Sequence, residues 1–352
     1  MNHSTAGDPR PRLALTMGDC TGIGPEIVAK VLSTPATAKS AVAGDPGHGK
    51  TLNAVARLVV VGDARVLELG MRDAGVKLAW QKAPSAAAID WARDTVPLVD
   101  LGNIDPSRFQ RGKVSAESGK LTGDTLAHVI AMARRGEVDG IVFAPLNKRA
   151  LHDGGWHFAD EHKMFAILLE HQGYFSEMNV LDGQWMSRVT GHVGLREALE
   201  QLTPQRIRDA ILLNDSMMRH AGISRPRIAV NALNPHAGDN GLFGREEIDL
   251  IRPVVEEMKA RGINCSGPYP ADTIFIRAFA GEFDGVVSMY HDQSQIATKL
   301  HGFHRGVTVT GGLQTVFTTP AHGTAFDIVG KGAAREGALE NAIRIAAQLA
   351  AS

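Results

Sequence analysis

The sequence predicts an α/β fold of two lobes, and three observations carry that expectation. Short β-branched runs alternate with longer segments whose apolar residues return every three or four positions, the pattern of parallel strands joined by helices. The chain has 352 residues, beyond the roughly 250 to 300 at which a single core stops growing. Its content, 44% hydrophobic and 21% charged, is enough to fill a core in each lobe without tending to disorder.

The elements follow in order. Strand-like runs are Leu13 to Thr16, Leu58 to Val61, Gly140 to Phe143, Arg227 to Val230, Gly285 to Ser288 and Gly306 to Thr310. Helical periodicity covers Glu26 to Leu32, Thr125 to Arg135, Pro204 to Ala221, Glu246 to Arg261 and Ala334 to Ala350. Residues 1–10 read as a polar tail, and 33–52, rich in Ala, Gly, Pro and Thr without a period, as an exposed insertion.

Composition narrows the function classes. The formal net charge is -1 and no long basic run occurs, so neither nucleic acid nor an anionic membrane is an implied partner. Small molecules are the expected partners. No apolar run approaches the roughly 20 residues of a membrane span and the first residues are not signal-like, which predicts a cytoplasmic protein. With Cys20 and Cys265 as its two cysteines, the chain has neither a disulfide framework nor a thiolate cluster. A bound metal must therefore rely on nitrogen and oxygen ligands.

In open α/β sheets ligands gather beyond the carboxyl ends of the strands. Those loops hold the unusual residues. His192 lies in Thr190-Gly191-His192, His236 follows Asn234-Pro235, and His291 precedes Asp292. Neutral imidazoles there could hold a divalent ion that grips a substrate hydroxyl and stabilises the alkoxide developing on it. Thr21-Gly22-Ile23-Gly24-Pro25-Glu26 opens a helix, with Pro25 near its first position and Glu26 favourable to its dipole. Ile27 occupies the place of the third glycine that a dinucleotide fingerprint needs, so a tight strand-to-helix turn is the competing reading. The stretch from Thr319 to Gly332, with His322, Gly323, Thr324, Ala325 and Asp327, suits either a cofactor loop built of small residues or a capped turn.

A reading from another class rests on Gly44-Asp45-Pro46-Gly47-His48-Gly49-Lys50-Thr51, a full match to the phosphate-loop pattern with Lys50 as its lysine. Its context is poor. No buried strand precedes it, and the helix after it would be about two turns long.

The loop His322-Gly323-Thr324-Ala325-Phe326-Asp327 resembles the adenosine-binding loop of isocitrate and isopropylmalate dehydrogenases. Together with Gly18-Asp19, Thr21-Gly22-Ile23-Gly24-Pro25-Glu26, Ala144-Pro145-Leu146-Asn147-Lys148, Leu233-Asn234-Pro235-His236-Ala237-Gly238, Ala271-Asp272-Thr273 and Tyr290-His291-Asp292-Gln293, it resembles the 4-hydroxythreonine-4-phosphate dehydrogenase family from about Leu13 to Ala350. The resemblance implies two α/β/α lobes with a cleft between them. Residues 1–135 and 300–352 would form the cofactor side, and 136–299 the metal, substrate and dimerisation side. It further implies a homodimer that shares its active sites, with His192, His236 and His291 as metal ligands and His291 reaching across. The reaction would be NAD- or NADP-linked oxidation of a β-hydroxy acid, with decarboxylation able to follow. Gly22, Gly24, His322, Gly323, Thr324, Ala325 and Asp327 would face the cofactor, and Lys299 the substrate. Lys148, Asp272 and Asp292 are alternatives for proton transfer. Zinc suits three imidazoles best, with nickel, cobalt, manganese and magnesium open.

Departures bear on the substrate. Where the family has Gly-His-Thr-Glu, this chain has Asp160-Glu161-His162-Lys163, and Thr308 and Phe317 replace a substrate-contacting Asn and Arg. A carboxylate such as Glu161 repels a phosphate that Arg forks and neutral donors would hold. The second half of the chain looks more like the catabolic branch acting on phosphorylated threonate or erythronate. Glu161, His162, Thr308 and Phe317 together predict a changed substrate, an unphosphorylated hydroxy acid or a carboxylated cyclic dihydrodiol.

Overall fold

Among the described residues twelve strands form in two units, one made of residues up to 172 with 313–351, the other of 173–312. The computed structural model describes residues 8–33, 51–91, 93–302 and 304–351. Most of the expected tail and insertion, and the phosphate-loop motif through Lys50, lie outside these residues. The helix that follows the motif, Leu52–Val55, has 4 residues, shorter still than the two turns expected.

The first unit holds β1 (Arg12–Thr16), β2 (Arg57–Gly62), β3 (Trp80–Ala83), β4 (Val96–Asp100), β5 (Gly140–Phe143) and, after the second unit, β12 (Val316–Pro320). Their order is β3-β4-β2-β1-β5-β12, and the pairs are parallel. Helices cover both faces of such a sheet, so its strands read as unbroken apolar runs. Leu13, Ala14 and Leu15 of β1 and Val59, Val60 and Val61 of β2 are fully buried accordingly.

Helix Ala116–Arg134 starts nine residues before the periodicity suggested, capped by Ser115, whose hydroxyl accepts from the Ser118 amide at 3.2 Å. Its buried face there consists of Ser118, Gly119, Thr122 and Gly123. Small residues replace apolar ones because neighbours come very close: a Cβ on Gly119 would lie 1.9 Å from the Ala150 carbonyl oxygen, and one on Gly123 2.1 Å from the Trp156 indole nitrogen.

The second unit holds β6 (Ser176–Leu181), β7 (Gln184–Arg188), β8 (Ile228–Asn231), β9 (Cys265–Tyr269), β10 (Gly285–Ser288) and β11 (Val307–Gly311), in the order β11-β6-β7-β10-β8-β9. The strands are largely parallel here too, as expected, with β6 the exception, antiparallel to both β7 and β11. The turn between β6 and β7 explains this: Asp182 and Gly183 both have positive φ, 49° and 81°, the two-residue turn that matches hairpin twist.

The units divide at 172/173 and 312/313, whereas the sequence suggested 135/136 and 299/300. Strand β5 pairs with β1 and so draws 136–172 into the first unit, while β11 pairs with β6 and draws 300–312 into the second.

Each unit closes its central strands with the same clamp. Asp139 accepts from the Arg12 amide at 2.7 Å and from its guanidinium at 2.8 and 3.1 Å. Asp284 does the same for Arg227, with 2.8 Å to the amide and 2.7 and 3.0 Å to the guanidinium. Burial opposes ionisation of both carboxylates, but the guanidinium and the amide more than offset it, so both titrate below the ordinary 3.8. A depressed carboxylate stabilises the fold above its unfolded pKa and loses that contribution as pH falls through the folded value. The urea midpoint is therefore expected to be flat from pH 7 to 5 and to drop below pH ~4. Asp284→Asn should lower the neutral-pH stability by about 1 kcal/mol after allowance for solvent screening and flatten the acid limb; an unchanged limb would contradict the clamp.

Candidate active site

In the second unit the strand ends are stitched together before any functional side chain is placed. The Val189 amide donates to the Ser288 carbonyl at 2.9 Å, and the Thr190 hydroxyl to the Met289 carbonyl at 3.0 Å. Gln293 accepts from the Met289 amide at 2.8 Å and donates to the Ala232 carbonyl at 2.9 Å. These bonds tie the ends of β7, β8 and β10 to the start of helix His291–Gly302.

His192 and His291 meet as a result, with ring centroids 4.9 Å apart. Each ring has a carboxylate at its Nδ1 side: Asp292 Oδ1 at 2.6 Å from His291, and Glu177 Oε2 at 3.7 Å from His192. A carboxylate on one ring nitrogen orients the other toward a metal. The donor chemistry therefore fits a divalent ion. Within this one chain the third histidine is not part of that pair, since no three His, Cys, Asp or Glu side chains among the described residues form a group able to hold a metal.

His236 sits on an unusual turn. Five consecutive residues, His236 to Asn240, are left-handed, with φ from 41° to 79°. Four of them are not glycine, and each costs roughly 1–2 kcal/mol. Buried Glu247 holds this loop in place: Oε1 accepts from the amides of Leu233 and Asn234 at 2.8 and 2.7 Å, and Oε2 from the Asn234 side-chain amide at 2.9 Å. Gly238 is required beside it, because a Cβ would lie 2.6 Å from Glu247 Oε2. Asp272 and Asp292 line a 1190 Å³ groove with His236 and Tyr290. Lys299 is exposed on helix His291–Gly302, and Thr308 is buried on β11, its hydroxyl accepting from Asn179 at 3.1 Å.

In the first unit the two glycine-bearing loops come together. The Ile23 amide donates to the Thr324 carbonyl at 3.1 Å, and a Cβ on Gly22 would lie 2.8 Å from Thr324 Cβ. Gly24 meets the chain itself, with a Cβ placed 2.2 Å from the Met17 carbonyl oxygen. The tight-turn reading thus accounts for Gly24. Around Gly323 the space is open for 4 Å, Ala325 is left-handed at φ 43°, and Asp327 is exposed. Such an open stretch of small residues, with His322 beside Gly323, can admit a flat ring and a ribose.

Lys148 lies 3.2 Å from Glu161, across a small apolar recess bounded by Leu151, Trp156, Phe158 and Met164. His162 is buried with its ring edge on Phe165, 6.4 Å between centroids. Phe317, expected to meet substrate, is fully buried and stacks on Phe165 at 4.2 Å. An apolar ring on β12 between β5 and the core has no reason to face water, so the contact expected of Phe317 is replaced by packing.

Three buried carboxylates hold these loops; sequence reasoning missed Glu247 and did not foresee this role for Asp19 and Glu26. Asp19, 1% exposed, accepts from the Thr21 amide and hydroxyl at 2.9 and 2.8 Å and from Ser118 at 2.7 Å. Glu26, fully buried, ties the first helix to the 332–334 segment through the Ala334 amide at 2.9 Å and Lys30 at 2.8 Å. A charge at an apolar position of the periodic pattern was the available signal for Glu26 and Glu247.

With this geometry in hand, the chain can be set beside known proteins. The family model described as pyridoxal phosphate biosynthetic protein PdxA matches residues 54–346. The chain belongs to the PdxA family. A protein of Pseudomonas aeruginosa named putative 4-hydroxythreonine-4-phosphate dehydrogenase 2 is 44% identical over 96% of this chain and 97% of its own length. D-threonate 4-phosphate dehydrogenase of Cupriavidus necator is 41% identical over 97% and 98%. Among solved structures, a 4-hydroxythreonine-4-phosphate dehydrogenase from Burkholderia phymatum is 37% identical with a TM-score of 0.78, covering 97% of this chain and 98% of that one. A terephthalate 1,2-cis-dihydrodiol dehydrogenase from Burkholderia xenovorans is 27% identical with a TM-score of 0.63, covering 96% and 98%. As a member of this family, the chain is a nicotinamide-linked dehydrogenase of CH–OH groups in hydroxy acids. No helix among the described residues is long and apolar enough to cross a membrane.

Proposed function

We propose that the PdxA-family chain oxidises the secondary alcohol of an unphosphorylated hydroxy acid, with a carboxylated cyclic dihydrodiol as the best-supported substrate class. The observation carrying this is the Lys148–Glu161 ion pair at 3.2 Å. Glu161 stands where the resemblance places a substrate-holding His, and it both cancels the nearby cation and repels a dianion. Phe317, where an Arg is expected, is wholly within the core. The terephthalate dihydrodiol dehydrogenase supports the cyclic reading by likeness. A second reading, a phosphorylated four-carbon hydroxy acid, is favoured by the names of the two relatives. Comparing kcat/KM for a cis-dihydrodiol carboxylate and for 4-phosphothreonate decides between them. The first should be preferred by at least about tenfold, in line with a contact difference of ~1.4 kcal/mol; preference for the phosphorylated acid would overturn the proposal.

His192, His236 and His291 would hold the divalent ion, zinc by donor chemistry. NAD or NADP would lie on the loops of Gly22, Gly323, Thr324, Ala325 and Asp327. Bound there, the ion supplies Lewis acidity to the substrate oxygen and the nicotinamide a hydride acceptor. Lys299 attracts the substrate carboxylate. Of the three candidates for proton transfer, Asp292 is occupied in orienting His291 and Lys148 is paired with Glu161. Asp272 remains, exposed in the groove beside His236, and takes the hydroxyl proton. Asp272→Asn should lower kcat about 10²- to 10⁴-fold while metal content stays native; unaltered kcat would remove this assignment.

The active enzyme is a homodimer. Ile276, Ile296 and Leu300 are 72%, 59% and 84% exposed along two neighbouring helices that flank the groove, and a contiguous apolar face of this kind marks an interaction surface. A second copy both covers it and completes the histidine set that one chain leaves divided. Co-expressing inactive His236→Ala and His291→Ala subunits should restore up to about a quarter of native activity, since each mixed dimer regains one intact site. No recovery would mean that each site is complete within one chain.

A further inference from the structure

Glu177, the carboxylate beside His192, is itself held by a charged residue with no part in the chemistry above, one that sits where charge is costly. Arg188, the last residue of β7, is 2% exposed. One of its terminal nitrogens lies 2.8 Å from Glu177 Oε1 and donates to Asn179 Oδ1 at 2.7 Å. The other, also buried, has no hydrogen-bond partner. Glu177 alone balances this guanidinium among those contacts. A buried ion pair is weak evidence for stability, because well-packed apolar residues commonly serve as well. Its placement needs another account.

The surroundings provide one. Glu177 and Asn179 point to one face of β6, two residues apart, and stand opposite Thr310 and Thr308 on β11. Asn179 donates to the Thr308 hydroxyl and accepts from Gln295 at 2.6 Å, one turn along the helix from His291. The remaining Glu177 oxygen, Oε2, lies 3.7 Å from His192 Nδ1. One buried cation thus fixes the strand that carries Thr308's partner, the helix of His291 and the carboxylate beside His192.

We infer that Glu177, locked in place by Arg188, is the positioning residue for His192. It favours the tautomer with the proton on Nδ1 and turns Nε2 away from the sheet, toward the position of a metal ion. The role is indirect. Neither residue touches the ion, and the inference rests on His192 being a ligand.

The test is a Co²⁺ titration of the metal-stripped, full-length enzyme, read by calorimetry and by the visible absorption of bound Co²⁺. Glu177→Gln, nearly isosteric, should bind Co²⁺ about tenfold more weakly, and Glu177→Leu/Arg188→Leu about 10- to 100-fold more weakly with a Tm close to native. His192→Ala should lose more than either. Native Co²⁺ affinity in Glu177→Gln and the double variant, with affinity lost in His192→Ala, overturns the positioning role and leaves the ligand assignment standing. Native affinity in His192→Ala instead removes the ligand assignment, and the inference with it. If the double variant is too unstable to titrate, Glu177→Gln still decides the matter.

Discussion

Replacing His236 by Ala is expected to lower kcat/KM on the order of 10³-fold or more, the scale on which loss of Lewis-acid stabilisation acts, while leaving the fold intact. The separation of the two effects follows from the backbone. His236 is exposed and left-handed at φ 54°, and its neighbour Ala237 already adopts φ 55° with a methyl side chain. An Ala at 236 therefore meets no strain that the loop does not already bear. The His236 ring makes an edge contact with Phe243 at 6.2 Å, a minor packing loss at an exposed site. Activity and thermal unfolding measured on the same preparation check this: inactive protein with a near-native Tm is the expected outcome.

The second large effect is on stability. Glu247→Ala should destabilise the second unit by about 2–5 kcal/mol, because it removes the acceptor of the Leu233 and Asn234 backbone amides at roughly 1–3 kcal/mol each, while the Asn234 side-chain amide keeps Glu246 at 2.6 Å. It also releases the carboxylate that bonds 233–234 and lies against the left-handed turn at Gly238. Strain of that size persists only where surrounding contacts over-determine it. Glu247→Gln keeps one acceptor oxygen for the two amides and should cost less than half as much. Denaturant unfolding of both variants distinguishes a true anchor from a bystander, for which the two substitutions would cost alike and little.

The parts of the fold readable from the sequence were those with strong periodicity. β1, β2, β5, β8, β10 and β11 are apolar, β-branched and closed by polar loops, and each forms within a residue or two of its expected place. β6 and β7 escaped notice because half-buried Glu177 and buried Asn179, Ser187 and Arg188 break the apolar pattern, although Asp182-Gly183 between them was a usable hairpin signal. Helix Ala116–Arg134 was shortened because its buried first half uses glycine and hydroxyl residues in place of apolar ones.

The candidate site was legible where chemistry and loop position coincide, as for His192, His236, His291, Asp292 and Asp272. What supports them was not. Glu247, Glu177 and Arg188 act through contacts with residues 9 to 14 positions away or across strands, and a lone charged residue in a sequence reads first as a solvated one. Phe317 shows the opposite failure: a substrate contact was expected of it by resemblance, and its apolar ring is fully buried in the core.

The metal site proposed for His192, His236 and His291 makes turnover depend on a divalent ion. NAD(P) reduction with a hydroxy-acid substrate, measured before chelation with EDTA, after it, and after return of single divalent ions, tests that dependence most directly. Loss of reduction on chelation, and its recovery with zinc or another of the ions that imidazoles hold, is the expected result. Full reduction by the chelated, metal-free protein would contradict it.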